Sequence, residues 1–162
     1  MRHWAWIGFL IILLAQLSSC QISGPDDEVS DVSVIRSGTS FGFCVGYCIT
    51  ELTIEPSQLR FSRKSWDRDG TGPPDLLLER SISNDIWNRL INLVDFVAIR
   101  GMREVYGCPD CTDGGSEWIE VTHSGETKRV TFEYNAILEP ITELVDSLRS
   151  IRATFLDELE SS

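Results

Sequence analysis

Alternating polar and apolar positions in the first half of the chain indicate β-strands. Residues 58–64, QLRFSRK, place Leu59 and Phe61 on one face and Arg60 and Ser62 on the other, which predicts a half-buried strand. Runs rich in Val, Ile, Thr and Leu, bounded by turn residues, predict three more strands. These runs are DVSVIRS at 31–37, CITELTI at 48–54 and LLLERSI at 76–82.

A helical pattern begins after the fourth predicted strand. Ser83 is a good N-cap residue, and Asp85 lies in the first turn, where the positive end of the helix dipole favours an acid. Ile82 and Trp87 occupy the two positions of a hydrophobic staple. One helix is therefore predicted, with a buried stripe of apolar residues at helical spacing: Ile86, Leu90, Leu93, Val94 and Val97.

The last third of the chain predicts a β-hairpin followed by a long helix. SEWIEVT and TKRVTFEY flank a turn at residues 123–126, and one face carries Ile119, Val121, Val130, Phe132 and Tyr134. Pro140 fits the first position of the helix. The apolar stripe of that helix is Ile137, Ile141, Leu144, Leu148, Ile151 and Phe155. The elements together predict a single α+β domain over residues 31–160, an antiparallel sheet with two helices packed on one face.

The first residues are typical of an export signal. An apolar run at residues 4–15 follows a short basic start and is too short to span a bilayer comfortably. It leads to LSSC at residues 17–20, which resembles the lipobox of bacterial lipoproteins. The resemblance implies that a signal peptide, residues 1–19, is removed and that Cys20 is lipidated. An ordinary signal peptide and an uncleaved anchor are the alternatives.

Residues 20–30 are predicted to be the lipidated cysteine and a flexible acidic tether. QISGPDDEVS is polar and contains glycine, proline and three acids. Several acyl chains on Cys20 would anchor the chain stably, so the membrane is its first expected partner. Gln21 follows the cysteine, and in the sorting rule of enteric bacteria this residue indicates the outer membrane. The periplasmic and the surface face are both open.

The charge of the chain limits its partners. The formal net charge is −11 over 162 residues. Such an acidic protein is repelled by nucleic acid and by anionic lipid headgroups. The sequence has no glycine-rich phosphate loop and no basic aromatic patch. No cofactor and no nucleic acid are therefore expected.

Four cysteines remain in the predicted domain, and in an exported protein an even set predicts disulfides. Cys108 and Cys111 span a turn, and Gly46 allows a compact turn between Cys44 and Cys48. Cross-pairing would close longer loops and stabilise by about 4 kcal/mol, against about 2 kcal/mol for a local bridge. Geometry decides between the pairings, and two local bridges are preferred.

The same cysteines have two alternative interpretations, a redox-active pair and a zinc site. A thioredoxin-like pair needs C-x-x-C at the start of a helix, whereas Cys111 is followed by a predicted turn and strand. Four-thiolate zinc binding fits the spacing of Cys108 and Cys111, and less typically that of Cys44 and Cys48. Oxidation outside the cytoplasm competes with the metal, so structural disulfides are the leading prediction.

Other catalytic or metal-binding residues are weakly indicated. His123 is the one histidine after the signal peptide and falls on the predicted hairpin turn, which favours a solvated side chain. No G-x-S-x-G motif accompanies it. Two acidic clusters are candidates for weak calcium binding, but aspartate and glycine also build turns without a ligand, and the first cluster fails the EF-hand pattern. These clusters are Asp67, Asp69 and Asp75, and Asp110, Asp113 and Glu117.

Residues 37–54, SGTSFGFCVGYCITELTI, resemble an uncharacterised family of exported bacterial domains that are often lipoproteins. The motif is C-x-G-x-C leading into a strand, carried here by Cys44, Gly46 and Cys48. Ile49 and Thr50 follow the motif, where many members have proline and then tyrosine. The resemblance implies strands, a helix, a glycine-turn hairpin and a C-terminal helix, and a place in the cell envelope. Because the family has no known function, it implies no catalytic residue.

The predicted function is that of a non-enzymatic, lipid-anchored envelope protein stabilised by disulfides, which binds a protein or another envelope component. Trp66 lies on a loop rich in glycine and proline, and it is a candidate anchor for a partner if its side chain is exposed rather than buried. A thiol-based redox protein and a zinc- or calcium-binding module are the alternatives.

Overall fold

A seven-stranded sheet organises the computed structural model, which describes residues 31–66 and 70–161. The strands are β1 (Val32–Ser40), β2 (Ile49–Glu55), β3 (Gln58–Lys64), β4 (Leu76–Ser81), β5 (Val105–Tyr106), β6 (Ser116–His123) and β7 (Glu126–Glu133). The helices are α1 (Asn84–Ile91), α2 (Phe96–Gly101) and α3 (Thr142–Glu160). The spatial order is β4-β3-β2-β1-β6-β7-β5, antiparallel except for β5 beside β7. This confirms the predicted α+β fold, with two helices lying on one side of the sheet.

The pairing of β1 with both of its neighbours explains why the predicted strands form. Ile35 lies opposite Ile54 of β2 and Val121 of β6, so three fully buried side chains cross the sheet in one row. Burying each such side chain stabilises the fold by about 1.5–3 kcal/mol. β3 has the bounds that its alternation predicts. β5 was not predicted, because two residues carry no periodicity.

The core lies between the sheet and the helices. Leu144 and Leu148 of α3 are fully buried, and the ring of Phe155 stacks on Phe61 of β3 with centroids 4.9 Å apart. These contacts confirm the apolar stripe predicted for the last helix over most of its length. In the part of the chain that the structure describes, no helix is long and apolar enough to cross a membrane.

The single helix predicted after the fourth strand is in fact two. The hydroxyl of Ser83 accepts from the backbone N–H of Ile86 at 3.4 Å, so the predicted N-cap is confirmed for α1. Asp95 then starts α2, because its carboxylate accepts from the N–H of Ala98 at 2.9 Å. This local hydrogen bond competes with continuation of the first helix. As a result Val97, assigned to the buried stripe, is 74% exposed.

The start of the last helix also differs from the prediction. Pro140 lies before α3 rather than at its first position, and Ile137, assigned to the stripe, is exposed. β7 ends one residue before Tyr134, and the side chain of Tyr134 is 42% exposed. Asn135 has a φ of 61°, a left-handed turn conformation that directs the chain away from the sheet.

The sheet face away from the core is polar. Arg36 of β1 and Glu120 of β6 form an ion pair at 2.8 Å across the strands. Trp118 lies against Gly38, and the guanidinium of Arg129 is 3.6 Å from the centroid of the indole ring. An antiparallel sheet tolerates one face in water. The loops at the two ends of the sheet are therefore the natural places for a site.

Candidate functional site

Both disulfides lie at the same end of the sheet. Ser40, the last residue of β1, pairs with Ile49 of β2 and with Ser116 of β6, and Ile49 also pairs with Lys64 of β3. The loops that leave these strands therefore meet. We call this surface the disulfide end, and it consists of residues 41–48, 65–66, 70–75, 107–115 and 134–137.

The first bridge joins Cys44 to Cys48, as predicted. Their Cα atoms are 5.6 Å apart, a usual separation for a disulfide. Gly46 between them has a φ of +85°, which glycine adopts without steric cost. Cys48 is 2% exposed, and its backbone N–H donates to the carbonyl of Lys64 at 2.9 Å. One side of this bridge is therefore fixed to the sheet.

The second bridge joins Cys108 to Cys111, whose Cα atoms are 5.4 Å apart. Local pairing is thus confirmed for both bridges, and the cross-pairing alternative is wrong. Both cysteines of this second bridge are exposed. Asp110, Thr112 and Asp113 in the same loop have φ values of 59°, 54° and 60°, a left-handed conformation that residues with side chains adopt rarely.

Hydrogen bonds connect the second disulfide loop to its surroundings. The backbone N–H of Gly42, in the first disulfide loop, donates to Oδ1 of Asp110 at 3.1 Å. The backbone N–H of Cys108 donates to Oε1 of Glu133, at the end of β7, at 2.8 Å. Hydrogen bonds to an ionised acceptor are stronger than those between neutral groups. The two disulfide loops therefore form one connected surface.

Phe41 is the centre of the disulfide end. Its ring meets Tyr134 edge to face, with centroids 5.0 Å apart. It also lies directly against the backbone of Gly115, where a Cβ atom would collide with the ring. The carbonyl of Phe41 accepts from Nε1 of Trp66 at 2.6 Å. Phe41 thus holds three loops together.

Phe43 and Val45 extend from this surface into solvent. Phe43 is 85% exposed, Val45 is 101% exposed and Trp66 is 44% exposed. Trp66 is therefore exposed rather than buried in the core. Exposed apolar side chains grouped on an ordered surface are typical of interaction sites.

Polar contacts order the rim of the disulfide end. The hydroxyl of Tyr47 donates to the carbonyl of Pro74 at 3.0 Å. The guanidinium of Arg63 lies 4.6 Å from the centroid of the Tyr47 ring. The pKa of Lys64 is raised, chiefly by the hydrogen bond from its ammonium group to Glu51. Lys64 therefore stays charged at neutral pH, and the rim carries paired charges beside the apolar side chains.

The surroundings of the cysteines are those of structural bridges. A single 3-10 turn, Cys111–Asp113, follows the C-x-x-C pair, whereas a reactive thiol of the thioredoxin type sits at the start of an α-helix. The four cysteines that the structure describes are in disulfides, whereas zinc would require thiolates. The geometry therefore supports structural bridges over the two alternative sites.

The first acidic cluster is only partly described by the structure. Asp67 and Asp69 lie outside the described residues, and Asp75 lies on the loop before β4. Within residues 31–66 and 70–161, no group of three or more His, Cys, Asp or Glu side chains is arranged to hold a metal ion.

The second acidic cluster is not formed. Glu117 has no exposed surface, and it is bound by the guanidinium groups of Arg149 and Arg152 from α3. Asp110 and Asp113 lie on the exposed loop. The grouping of Glu117 with these aspartates is therefore wrong, because the strand directs its side chain into the core face.

His123 lies at the opposite end of the sheet. Its ring stacks on Phe96 of α2, with centroids 4.7 Å apart and planes at 12°. The side chain is partly buried by α2, so the expectation of a solvated turn residue is wrong. A groove of about 900 Å³ opens beside this pair and is lined in part by Asp31 and Val97. The length of β6 separates His123 from the disulfide end.

Sequence reasoning did not identify the residues that join the loops. Asp110 and Gly42 are 68 positions apart in the chain, and no local pattern predicts their hydrogen bond. Phe41 and Tyr134 are even farther apart in the chain. The available signal was the alternation of aromatic residues with glycine and cysteine in SFGFCVGYC, because a short loop cannot bury all of them.

Neither a comparison with protein-family models nor a search of curated proteins found a match to this chain. The resemblance to the exported-domain family therefore stays a prediction from the C-x-G-x-C segment. The predicted signal peptide, the lipidated Cys20 and the tether lie outside the described residues. Lipid attachment and location in the envelope stay predictions as well.

Proposed function

We propose that this chain is a lipid-anchored protein of the bacterial cell envelope, without catalytic activity, that binds a protein partner through the disulfide end. The observation that carries the binding role is the exposure of Phe43 and Val45 on the loop closed by Cys44 and Cys48. A partner that covers apolar groups removes them from water, which stabilises the complex by about 25 cal/mol per Å² of apolar surface buried.

The bridges favour binding because they order the loops in advance. An unordered loop loses conformational entropy when it is captured, and a pre-formed loop loses less. The bridge from Cys44 to Cys48 and the contacts of Phe41 with Trp66 and Tyr134 hold the surface before any partner arrives. This supports a docking surface rather than a loop that folds on its target.

The chemistry of the surface supports a protein as the partner. Lys64, which lines a groove together with the exposed Trp66, is paired with Glu51, and apolar side chains beside paired charges match the apolar centre and polar rim of protein interfaces. The net charge of −11 opposes nucleic acid and anionic membrane surfaces. An apolar pocket on another envelope protein fits both features.

The lipobox-like LSSC segment supports the anchor, and Gln21 supports the outer membrane. The tether would join the domain at Asp31, beside the first residue of β1. β1 then runs roughly 27 Å, at about 3.3 Å per residue, to the disulfide end. In the proposed arrangement the lipid and the binding surface are therefore at opposite ends of the sheet.

Photo-crosslinking in living cells tests the binding role. A photoreactive residue at position 45 is expected to give a discrete protein adduct, and the same residue at Ser150, exposed on α3, is expected to give none. Adding Phe43→Ser to the protein with the photoreactive residue at position 45 is expected to reduce the adduct by about tenfold, which corresponds to about 1.4 kcal/mol of binding free energy. No adduct at position 45, or equal adducts at both positions, would contradict the proposal.

The anchor has its own test. Cells that express the chain are fed an alkyne-tagged fatty acid, and label is expected on the wild-type protein and absent from Cys20→Ser. The variant is also expected to leave the outer-membrane fraction. Equal labelling of both proteins would show that the lipid is attached to a residue other than Cys20.

A further inference from the structure

The two disulfides differ in their exposure to solvent. In the first bridge Cys48 is 2% exposed, with its backbone bonded to β3, and Cys44 is partly buried, whereas Cys108 and Cys111 are both exposed. Thiol–disulfide exchange requires that a thiolate reach a sulfur atom, and exposed bridges are the ones that exchange readily. A reductant therefore reaches the second bridge first.

The segment around the second bridge has an unusual backbone. Asp110, inside the ring that Cys108 and Cys111 close, and Thr112 and Asp113, directly after it, are all left-handed. L-residues with a Cβ atom adopt this conformation rarely, aspartate more readily than threonine, and a run of such residues persists where surrounding constraints impose it. The bridge between Cys108 and Cys111 is the covalent constraint on this loop.

The same loop carries the side chain that holds the first disulfide loop. Oδ1 of Asp110 accepts from the backbone N–H of Gly42, one residue before Phe43. Asp110 is also fixed through its own backbone N–H, which donates to the carbonyl of Gly115 at 3.0 Å. If the loop relaxes, Asp110 leaves this position and Gly42 loses its acceptor.

We propose that the Cys108–Cys111 disulfide is a reversible modification site for a dithiol reductant, and that its reduction loosens residues 41–48 by removing the hydrogen bond from Gly42 to Asp110, while the Cys44–Cys48 bridge and the contacts of Phe41 remain. The site acts as the substrate of exchange and not as a catalyst. The loosening of the loop follows from contacts within the chain alone. Its further effect, weaker partner binding, rests on the function proposed above.

The exchange is balanced in two steps. The thiolate of the dithiol attacks one sulfur of the bridge, so a mixed disulfide forms, the Cys108–Cys111 bond breaks and the other cysteine leaves as a thiolate. The second sulfur of the dithiol then attacks the mixed disulfide and releases the first cysteine. The dithiol is oxidised to its disulfide by two electrons, and Cys108 and Cys111 take up its two protons as thiols.

A titration of the full-length oxidised protein with dithiothreitol tests the site. Free thiols are alkylated after each step and located by peptide mass spectrometry. Cys108 and Cys111 are expected to be half-reduced at about tenfold less dithiothreitol than Cys44 and Cys48. Simultaneous reduction of the two bridges, or earlier reduction of Cys44 and Cys48, would overturn the proposal.

Hydrogen exchange at the selective dithiothreitol concentration tests the coupling. Amides in residues 41–48 are expected to exchange about tenfold faster than in the oxidised protein, whereas those of β2 stay unchanged. Asp110→Ala is expected to accelerate the same amides with the bridge intact. Asp113→Ala, the matched change in the same loop, is expected to leave them slow.

The outcomes separate this inference from the proposed function. Unchanged exchange at residues 41–48 after selective reduction would overturn the inference, whatever the crosslinking result at position 45. Faster exchange supports the inference even if no crosslinked adduct is found, because the purified protein contains no partner. Equal acceleration by the two aspartate variants would also overturn it.

Discussion

The fully buried carboxylate of Glu117 in β6 pairs with the partly buried Arg149 of α3, with Oε2 of the carboxylate 2.7 Å from Nη2 of the guanidinium. Arg152 donates to the other carboxylate oxygen and to the hydroxyl of Ser37. Burial opposes the charge on Arg149, but the hydrogen bonds and attraction of Glu117 and of Asp146 outweigh it, so the pKa of Arg149 is raised. This cluster joins the last helix to the sheet.

Glu117→Gln is expected to lower the free energy of unfolding by about 3–5 kcal/mol, because it removes the counter-charge of the buried Arg152 and leaves Arg149 with Asp146 alone. Urea unfolding followed by circular dichroism measures the loss. Glu51→Gln is the matched control, because Glu51 forms an exposed ion pair with Lys64, and removing such a pair costs about 0–1 kcal/mol. Similar losses for the two variants would contradict the assigned role of Glu117.

Gly38→Ala is expected to destabilise the protein by about 1–3 kcal/mol, a typical cost of overpacking. The new Cβ atom would lie 2.6 Å from the carbonyl oxygen of Thr50 and 2.6 Å from the ring of Trp118. Gly101→Ala is the control, because open space surrounds Gly101 at the end of α2. It is expected to leave the melting temperature unchanged or raise it slightly. An unchanged stability of Gly38→Ala would show that Thr50 and Trp118 move to make room for the new Cβ atom.

Removal of the first bridge is expected to cost more than removal of the second. Each bridge closes a loop of similar length, so loop entropy contributes about 2 kcal/mol in both cases. The pair Cys44→Ala and Cys48→Ala also removes the buried sulfur of Cys48, whereas Cys108 and Cys111 are exposed. Thermal unfolding of the two double variants gives the comparison. A larger loss for the second pair would contradict the burial argument.

The ion pair of Arg80 and Glu158 gives a dependence of stability on pH. The side-chain hydrogen bond from Arg80 lowers the pKa of Glu158 from its ordinary value of 4.5. A carboxyl group whose folded pKa is lowered stabilises the fold above its unfolded pKa, and this contribution is lost as pH falls through the folded value. Glu158→Gln is therefore expected to lower the melting temperature at pH 7 and to have no effect at a pH below both values.

The melting temperatures of four proteins check this pair. They are the wild type, Glu158→Gln, Arg80→Gln and the double variant, each measured from pH 2 to pH 7. In the Arg80→Gln background the Glu158 change is expected to have a smaller effect, because the hydrogen bond and ion pair with Arg80 are absent. An equal effect in both backgrounds would mean that Glu158 acts through another contact.

Phe43→Ser combined with Val45→Ser is expected to change the free energy of unfolding by less than about 0.5 kcal/mol, as for most exposed positions. Both side chains are almost fully exposed and support no core residue. Phe61→Ala, in the core under Phe155, is the contrast and is expected to cost about 3–5 kcal/mol. Loss of stability in the serine variant would mean that these residues hold the loop rather than present it.

The sequence by itself determined six of the seven strands, the cap of α1 and the pairing of near cysteines. β3 follows from alternation over seven residues, α1 from Ser83, and the hairpin from Ser124 and Gly125, whose φ values are 49° and 80°. Such features depend on neighbours in the chain, so their physical causes are visible in the order of residues. The same reason explains why Cys44–Cys48 and Cys108–Cys111 were predicted.

Only the tertiary structure decided which distant residues meet. Glu117 is found with Arg149 and Arg152 rather than with the aspartates near it in sequence, because alternate residues of a strand point to opposite faces. Asp110 reaches Gly42 because the pairing of β1 with β6 brings their loops to one end of the sheet. Hydrogen bonds and packing act over a few ångströms of space, and the chain pattern records only separation along the backbone.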